Sequence, residues 1–252
     1  MIKDIRSSSE VALLLLDAGN TLFGQWLAQK SDGRAIVQAM NTLGYDAMAV
    51  GAADLDKGLQ VLMERAKEAR FAMLSCNIVR TEDGETVLAP YTVVDRNGVR
   101  LGILGVTEPE AIGVLEVADA ATVADPVESV RKFVPEVRAK SDIVILLSHL
   151  GLEADQALAK AVPGINIIVG GKSRQTLQAP EVVGATVIVQ AGYDGKWLGR
   201  LDVTFDAQQQ PVDPKVEIIS LGPEVADDPD LAKLVASYRE LFPQPTPIPS
   251  PT

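Results

Sequence analysis

Val11-Ala12-Leu13-Leu14-Leu15-Leu16-Asp17-Ala18-Gly19-Asn20 is the stretch that decides the fold. An uninterrupted apolar run that stops at an acidic, glycine-containing turn reads as a strand buried on both faces. The same grammar recurs along the chain. Ala47–Val50 leads to Gly51-Ala52-Ala53-Asp54, Asp142–Leu147 leads to Ser148-His149-Leu150-Gly151, and Ile165–Val169 leads to Gly170-Gly171-Lys172-Ser173-Arg174. Loops at the ends of such strands are where α/β folds place their chemistry.

Between these strands the apolar period changes from continuous to helical. Ile36, Val37, Met40 and Leu43 share one face over 35–42, and Leu59, Leu62, Met63 and Ala66 share one over 57–69. With a strand at 72–75, this half repeats strand and helix, the pattern of parallel sheet. Strands at 91–95 and 100–106 flank Asn97-Gly98, a strong hairpin signal. Helices are expected at 126–139, 152–162 and 230–241, the last with Pro229 in its first turn. Val187–Ala191 and Trp197–Phe205 read as an antiparallel pair joined through Asp194-Gly195, with a last strand at 215–220. Residues 1–242 read as one domain. From Pro243 to Thr252 every second residue is proline, which excludes helix and central strand and fits an extended linker or tail.

Composition narrows the function classes. A 252-residue chain with 47% hydrophobic and 23% charged residues can bury a sizeable core. A net charge of −11 lacks the basic footprint of a nucleic-acid binder. Cys76 is the only cysteine and His149 the only histidine, so intrachain disulfides and Cys- or His-cluster metal sites are excluded. The run at 12–16 is too short to span a membrane, and no signal-peptide pattern stands at Met1. Neither Gly102–Gly105 nor Gly170–Gly171 matches a phosphate-loop fingerprint.

Taken in order, several stretches resemble the calcineurin-like metallophosphoesterases, and within them the 5′-nucleotidase branch. They are Leu14–Gly19, Leu43–Gly51, Met73–Asn77, Gly102–Thr107, Ile145–Gly151, Pro163–Gly171 and Gln190–Gly192, spread over roughly residues 11 to 205. The resemblance implies a four-layer α/β/β/α sandwich with two mixed sheets, and two divalent metals (Mn, Zn or Mg) at the strand ends. Such metals polarise a phosphoryl group and supply the attacking hydroxide. It also implies a periplasmic, extracellular or cell-surface setting, and a separate C-terminal nucleoside-binding domain that has no counterpart in these 252 residues.

The motifs depart from that pattern where ligands are required. The opening Asp-x-His motif has no counterpart in Met1–Glu10. The position of the bridging aspartate falls on Asn20, whose neutral amide cannot bridge two dications. The Gly-Asn-His-Glu turn reads Gly51-Ala52-Ala53-Asp54, losing an amide ligand and the catalytic histidine to methyl groups. The Gly-His-x-His turn reads Gly171-Lys172-Ser173-Arg174, with cations that repel metal. His149 alone keeps its motif. A catalytically degenerate domain, kept as a binding or structural module of a longer protein and needing no metal, is therefore expected.

Three roles for the altered turns follow. Asn20, His149, Lys172 and Arg174 could form a metal-free pocket for phosphate or another small anion. Alternatively, Lys172 and Arg174 pair with Asp17, Asp54 or Asp56 and fill the vacated positions. The Ala52-Ala53 turn, rimmed by the two cations, could instead dock a protein partner. An active hydrolase would need a mononuclear site from Asp17, Asn20, Asp54 and His149. Asp54 and Asp56 also suit helix capping. Cys76, Trp26 and Trp197 read as packing residues.

Overall fold

The computed structural model describes residues 1–8, 11, 13–115 and 120–244. Ala12 of the opening run and the Pro/Thr stretch from residue 245 lie outside the described residues. The chain begins with helix α1 (Ile2–Ser8), strand β1 (Leu16–Asp17), helices α2 (Trp26–Lys30) and α3 (Arg34–Leu43), strand β2 (Ala47–Ala49) and helix α4 (Leu59–Glu68). Strands β3 (Ala72–Leu74), β4 (Ile78–Arg80), β5 (Tyr91–Arg96), β6 (Val99–Val106) and β7 (Ala121–Val123) follow. Next come α5 (Pro126–Lys140), β8 (Ile143–Ser148), α6 (Leu152–Ala161), β9 (Ile167–Gly170), β10 (Glu181–Val183) and β11 (Thr186–Val189). The chain closes with β12 (Trp197–Phe205), β13 (Pro211–Ser220) and α7 (Pro229–Leu241). Short 3-10 turns at Ala52–Leu55 and Pro109–Gly113 follow β2 and β6.

Six strands form a mixed sheet in the order β10-β11-β9-β8-β6-β5, whose four inner strands are parallel. Three form a small parallel sheet, β1-β2-β3. Strand alternation then distributes the apolar residues between layers. Ile103, Ile145, Leu147 and Ile167 face inward onto Ala47 and Ala49 of the small sheet. Their neighbours Leu104, Leu146 and Ile168 face outward onto Val130, Val134 and Val137 of α5 and Leu158 of α6. On the other side, Met48 and Val50 meet Val37 and Met40 of α3 and Leu59 and Leu62 of α4. The result is helix, sheet, sheet, helix: the expected four-layer sandwich. Each fully buried Leu or Ile contributes roughly 1.5–3 kcal/mol of hydrophobic stabilisation.

The sheets approach most closely at Gly105. A Cβ there would stand 2.4 Å from the Leu74 carbonyl oxygen, so only glycine lets β6 pass β3. Asp46 ties down the lower end of β1 by accepting the Leu15 N–H at 2.8 Å, and also pairs with Arg96 of the β5–β6 hairpin. That hairpin turns through Asn97-Gly98, both at positive φ, as the dipeptide predicts.

One strand pairing is corrected. The segment 187–191 does not pair with Trp197–Phe205. Instead β11 lies inside the large sheet, parallel to β9, with Val187 opposite Ile167. β12 pairs with β13, with Leu201 opposite Val216. Burial explains the sorting: Val187 and Ile188 are enclosed on both faces, whereas β12 holds only half-buried and exposed residues, alternating from Arg200 onward, as a two-stranded ribbon does. Asp194 and Gly195 do form a left-handed turn, but it carries the chain off the large sheet rather than closing a hairpin.

Candidate functional site

All four turns singled out in the sequence gather at the C-terminal ends of β1, β2, β8 and β9. The first is held shut by two acids, its own Asp17 and Asp54 of the β2 turn. Asp17 Oδ1 accepts the Gly19 N–H at 2.8 Å and the Thr21 hydroxyl at 2.6 Å. Asp54 is fully buried and accepts four backbone N–H groups, from Asn20, Thr21, Leu22 and Gly51, at 2.7 to 3.0 Å. One carboxylate thus pins the β1 turn to the β2 turn. Burial pushes the Asp54 carboxyl up, while those four donors pull against it. Asn20, at φ +61°, bends its amide back so that Oδ1 accepts the Ala53 N–H at 2.8 Å. Gly51 is required beside it, because a Cβ there would come within 2.3 Å of Asn20 Oδ1 and 2.8 Å of His149 Cδ2.

His149 is 3% exposed and lies at the centre. Its Nδ1 is 2.7 Å from the Ala18 carbonyl, which can only accept, so Nδ1 carries the proton. In the neutral ring Nε2 is then an acceptor, and it has no hydrogen-bond partner. Facing it at 3.9 Å, beyond hydrogen-bond range, is Glu108 Oε1, which accepts the Ala52 N–H at 3.0 Å. Glu108 is 3% exposed, and its Oε2 also lacks a partner. The heart of the site therefore presents two buried acceptors.

Beneath it, Asp155 of α6 is fully buried and bonded through Oδ1 to the Ser148 hydroxyl, which in turn accepts the Leu150 N–H. Burial pushes this carboxyl up to about 7, against the opposing pull of that hydroxyl. Its Oδ2 is unpartnered and lies 2.6 Å from where a Cβ on Gly170 would stand.

Lys172 and Arg174 sit at the rim, both at positive φ (+65° and +54°), an uncommon conformation for residues carrying a Cβ. Neither cation pairs with Asp17, Asp54 or Asp56, correcting the sequence-based pairing. Lys172 Nζ bonds Glu110 at 2.8 Å, and Arg174 lies over the Tyr193 ring at 5.5 Å. The physical reason is that Asp17 and Asp54 point into the turns and are already occupied, Asp17 by the Gly19 N–H and the Thr21 hydroxyl and Asp54 by four backbone N–H groups. Asn20, His149, Lys172 and Arg174 line one cleft, but Ala52 and Ala53 do not share its wall. Cys76 is buried, its thiol pushed up to about 12 by burial. Trp197 packs edge-on against Tyr193, and Trp26 lies under Lys30.

Glu108, Glu110 and Asp155 were not singled out in the sequence. Two signals could have found them. Glu108 and Glu110 sit in the loop after the apolar run of β6, another strand end on the same rim. Asp155 interrupts the buried stripe Leu152, Leu158, Ala159 of α6 at helical spacing.

Fold and strand-end turns together define a metallophosphoesterase-type sandwich. The chain is homologous to the calcineurin-like metallophosphoesterase family, on its 5′-nucleotidase branch. It is 31% identical to a 5′-nucleotidase precursor from Thermus thermophilus, with a TM-score of 0.87 over 95% of this chain and 52% of that one. A snake venom 5′-nucleotidase from Naja atra is 30% identical over 253 residues, covering 90% of this chain and 47% of the relative. The fold, at a TM-score of 0.78, is also that of the calcineurin-like phosphoesterase YfkN from Bacillus subtilis, matched over 90% of this chain and 83% of that one. No protein-family model matches. The chain spans about half the length of the curated relatives it matches.

The residues present do not fit the two-metal centre that the family implies. Among the described residues, no group of three or more His, Cys, Asp or Glu side chains is gathered so as to hold an ion. Asp17 and Asp54 are committed to the turns, the Asn20 carbonyl oxygen to Ala53, and Ala52 and Ala53 offer methyl groups. No helix among the described residues is long and apolar enough to cross a membrane.

Proposed function

We propose that this chain is a catalytically degenerate 5′-nucleotidase-like metallophosphoesterase domain, kept as a binding or structural module. The observation that carries the proposal is what stands at the substituted turn positions. Asn20 Oδ1 is taken up by the Ala53 N–H, Ala52 and Ala53 offer only methyl groups, and among the described residues no three His, Cys, Asp or Glu side chains gather to hold an ion. Metal-dependent phosphate ester hydrolysis lowers a barrier by on the order of 20 kcal/mol, and the side chains that would hold the metals are replaced or occupied.

Asn20, His149, Lys172 and Arg174 are no better suited to a phosphate. Two acceptors, His149 Nε2 and Glu108 Oε2, are buried without partners, and Lys172 is paired with Glu110. A donor or cationic group suits the interior better than an anion. Thermal-shift titration separates the readings. Neither millimolar phosphate nor sulfate should raise the unfolding midpoint, whereas saturable stabilisation by phosphate, lost in Lys172→Ala, would sink this reading.

Likeness to a venom enzyme supports an exported setting. Residues 1–242 are proposed as one domain and the proline-rich stretch after it as a linker toward a further domain or protein partner.

A further inference from the structure

A cleft of about 340 Å³ lies where α7 ends, lined by Trp26 and Lys30 of α2 together with Leu241, Phe242 and Pro243. Its walls are held in place by the core. Both α2 and α7 pack on α3, and Tyr238, the buried residue of α7, stacks on Phe242 with ring centroids 6.4 Å apart. The cleft itself is open and largely apolar: Leu241 is 70% exposed and Trp26 is half-buried, with Lys30 Nζ 4.7 Å from the centroid of its ring. The Trp26 indole N–H, a group that can only donate, points to the Phe242 carbonyl at 3.5 Å.

Aromatic-lined grooves grip proline-rich segments in the polyproline form, which is preformed and so loses little entropy on docking. Phe242-Pro243 already lies in this groove as a first unit. The sequence beyond it has a matching face. A polyproline helix repeats every three residues. From Phe242 that period runs through Pro245, Ile248 and Pro251, all apolar, whereas Gln244, Thr246, Ser250 and Thr252 fall on the other two faces. The alternating prolines thus conceal an apolar stripe that starts at a residue in the cleft.

We propose that Trp26 anchors this chain's own proline-rich segment, which lies in the cleft in polyproline form with the stripe of Phe242, Pro245 and Ile248 against Trp26 and Leu241. The tether selects this occupant over a segment from another molecule. Pro245 follows Pro243 by two residues, about 6 Å in this conformation. So short a connection gives an effective concentration on the order of millimolar or above, at which a few weak contacts suffice. Docking covers the exposed Leu241 and gives the linker proposed above a fixed exit from the domain. It rests on that linker reading and is independent of the metal chemistry.

The test is nuclear magnetic resonance of the nitrogen-labelled full chain. It reads the backbone order parameters at Gln244 and Thr246 and the Trp26 indole N–H, identified by its loss in Trp26→Phe. In the parent chain both amides should show order parameters above about 0.7, where a free tail would fall below about 0.6. Pro245→Ser and Ile248→Ser, on the stripe, should each bring Thr246 below about 0.6 and shift the indole resonance. Pro247→Ser, the same change on another face, should leave both readings as in the parent. The circular dichroism spectrum should be unchanged in all three. Order parameters below about 0.6 in the parent would leave a free linker and overturn the anchor. So would equal effects of Pro245→Ser and Pro247→Ser. Order that is lost on dilution, with a dimer seen by sedimentation, would also overturn it by assigning the docked segment to a second copy.

Discussion

Replacing Asp155 by Asn tests how burial shapes the central turn. Desolvation raises the Asp155 carboxyl from its ordinary 3.8 to about 7 in the folded chain. Between those values the folded state holds a proton that the unfolded state has released. Stability from this group is thus fully present below about pH 4, falls as pH rises toward 7, and is flat above. The full shift corresponds to roughly 4 kcal/mol, at about 1.4 kcal/mol per pKa unit. Asparagine mimics the protonated acid but cannot ionise. Relative to the parent chain, Asp155→Asn should gain about 3 kcal/mol in stability between pH 4.5 and pH 8. Other carboxyls with shifted values, such as Asp17 and Asp54, are common to both proteins and cancel in the difference. Urea denaturation at matched pH values measures it, with an expected relative rise of about 6–12 °C in unfolding midpoint as a second reading. A stability difference that stays constant from pH 4.5 to 8 would refute the reasoning, since Asp155 would then titrate alike in folded and unfolded chains.

Three further outcomes follow from the same contacts. Asp54→Ala strips four buried N–H groups of their acceptor and should cost about 4 kcal/mol or more by urea denaturation; a loss under about 1 kcal/mol would mean that water replaces the carboxylate freely. Gly51→Ala drives a methyl into Asn20 and His149 and should lower stability by about 1–3 kcal/mol, with a shifted His149 imidazole resonance. Cys76 should resist a water-soluble disulfide reagent in the native chain at pH 8 and react at once when unfolded; rapid native labelling would contradict its burial.

Much of the sandwich could be read from local pattern because its strands are buried on both faces. Ile143 to Ser148 is buried throughout and stands out as an apolar run, and Asn97-Gly98 marks its hairpin unaided. Where neighbours in sequence are not neighbours in the sheet, pattern fails. The 187–191 segment and β12 flank a convincing Asp194-Gly195 turn, yet their partners are β9 and β13, fixed by how much of each face the core can cover. The substituted turns at Asn20, Ala52-Ala53, Lys172 and Arg174 were visible by position, whereas the partners of their polar groups were not. Glu108 and Glu110 enter the site from the loop after β6, which carries no spacing signal toward His149. Tertiary geometry alone brings Glu110 to Lys172 and turns Asp17 and Asp54 inward.

Catalytic degeneracy rests on metal chemistry and is tested there. The protein is incubated with excess Mn²⁺ or Zn²⁺, freed of unbound ion, and measured for bound metal by mass spectrometry alongside hydrolysis of a generic phosphomonoester and AMP. With Asp17 and Asp54 locked into their turns and Ala52-Ala53 offering methyl groups, the expected result is substoichiometric metal and turnover indistinguishable from buffer. Two equivalents of bound metal with turnover that disappears in chelator would contradict it and show a working centre assembled from other ligands.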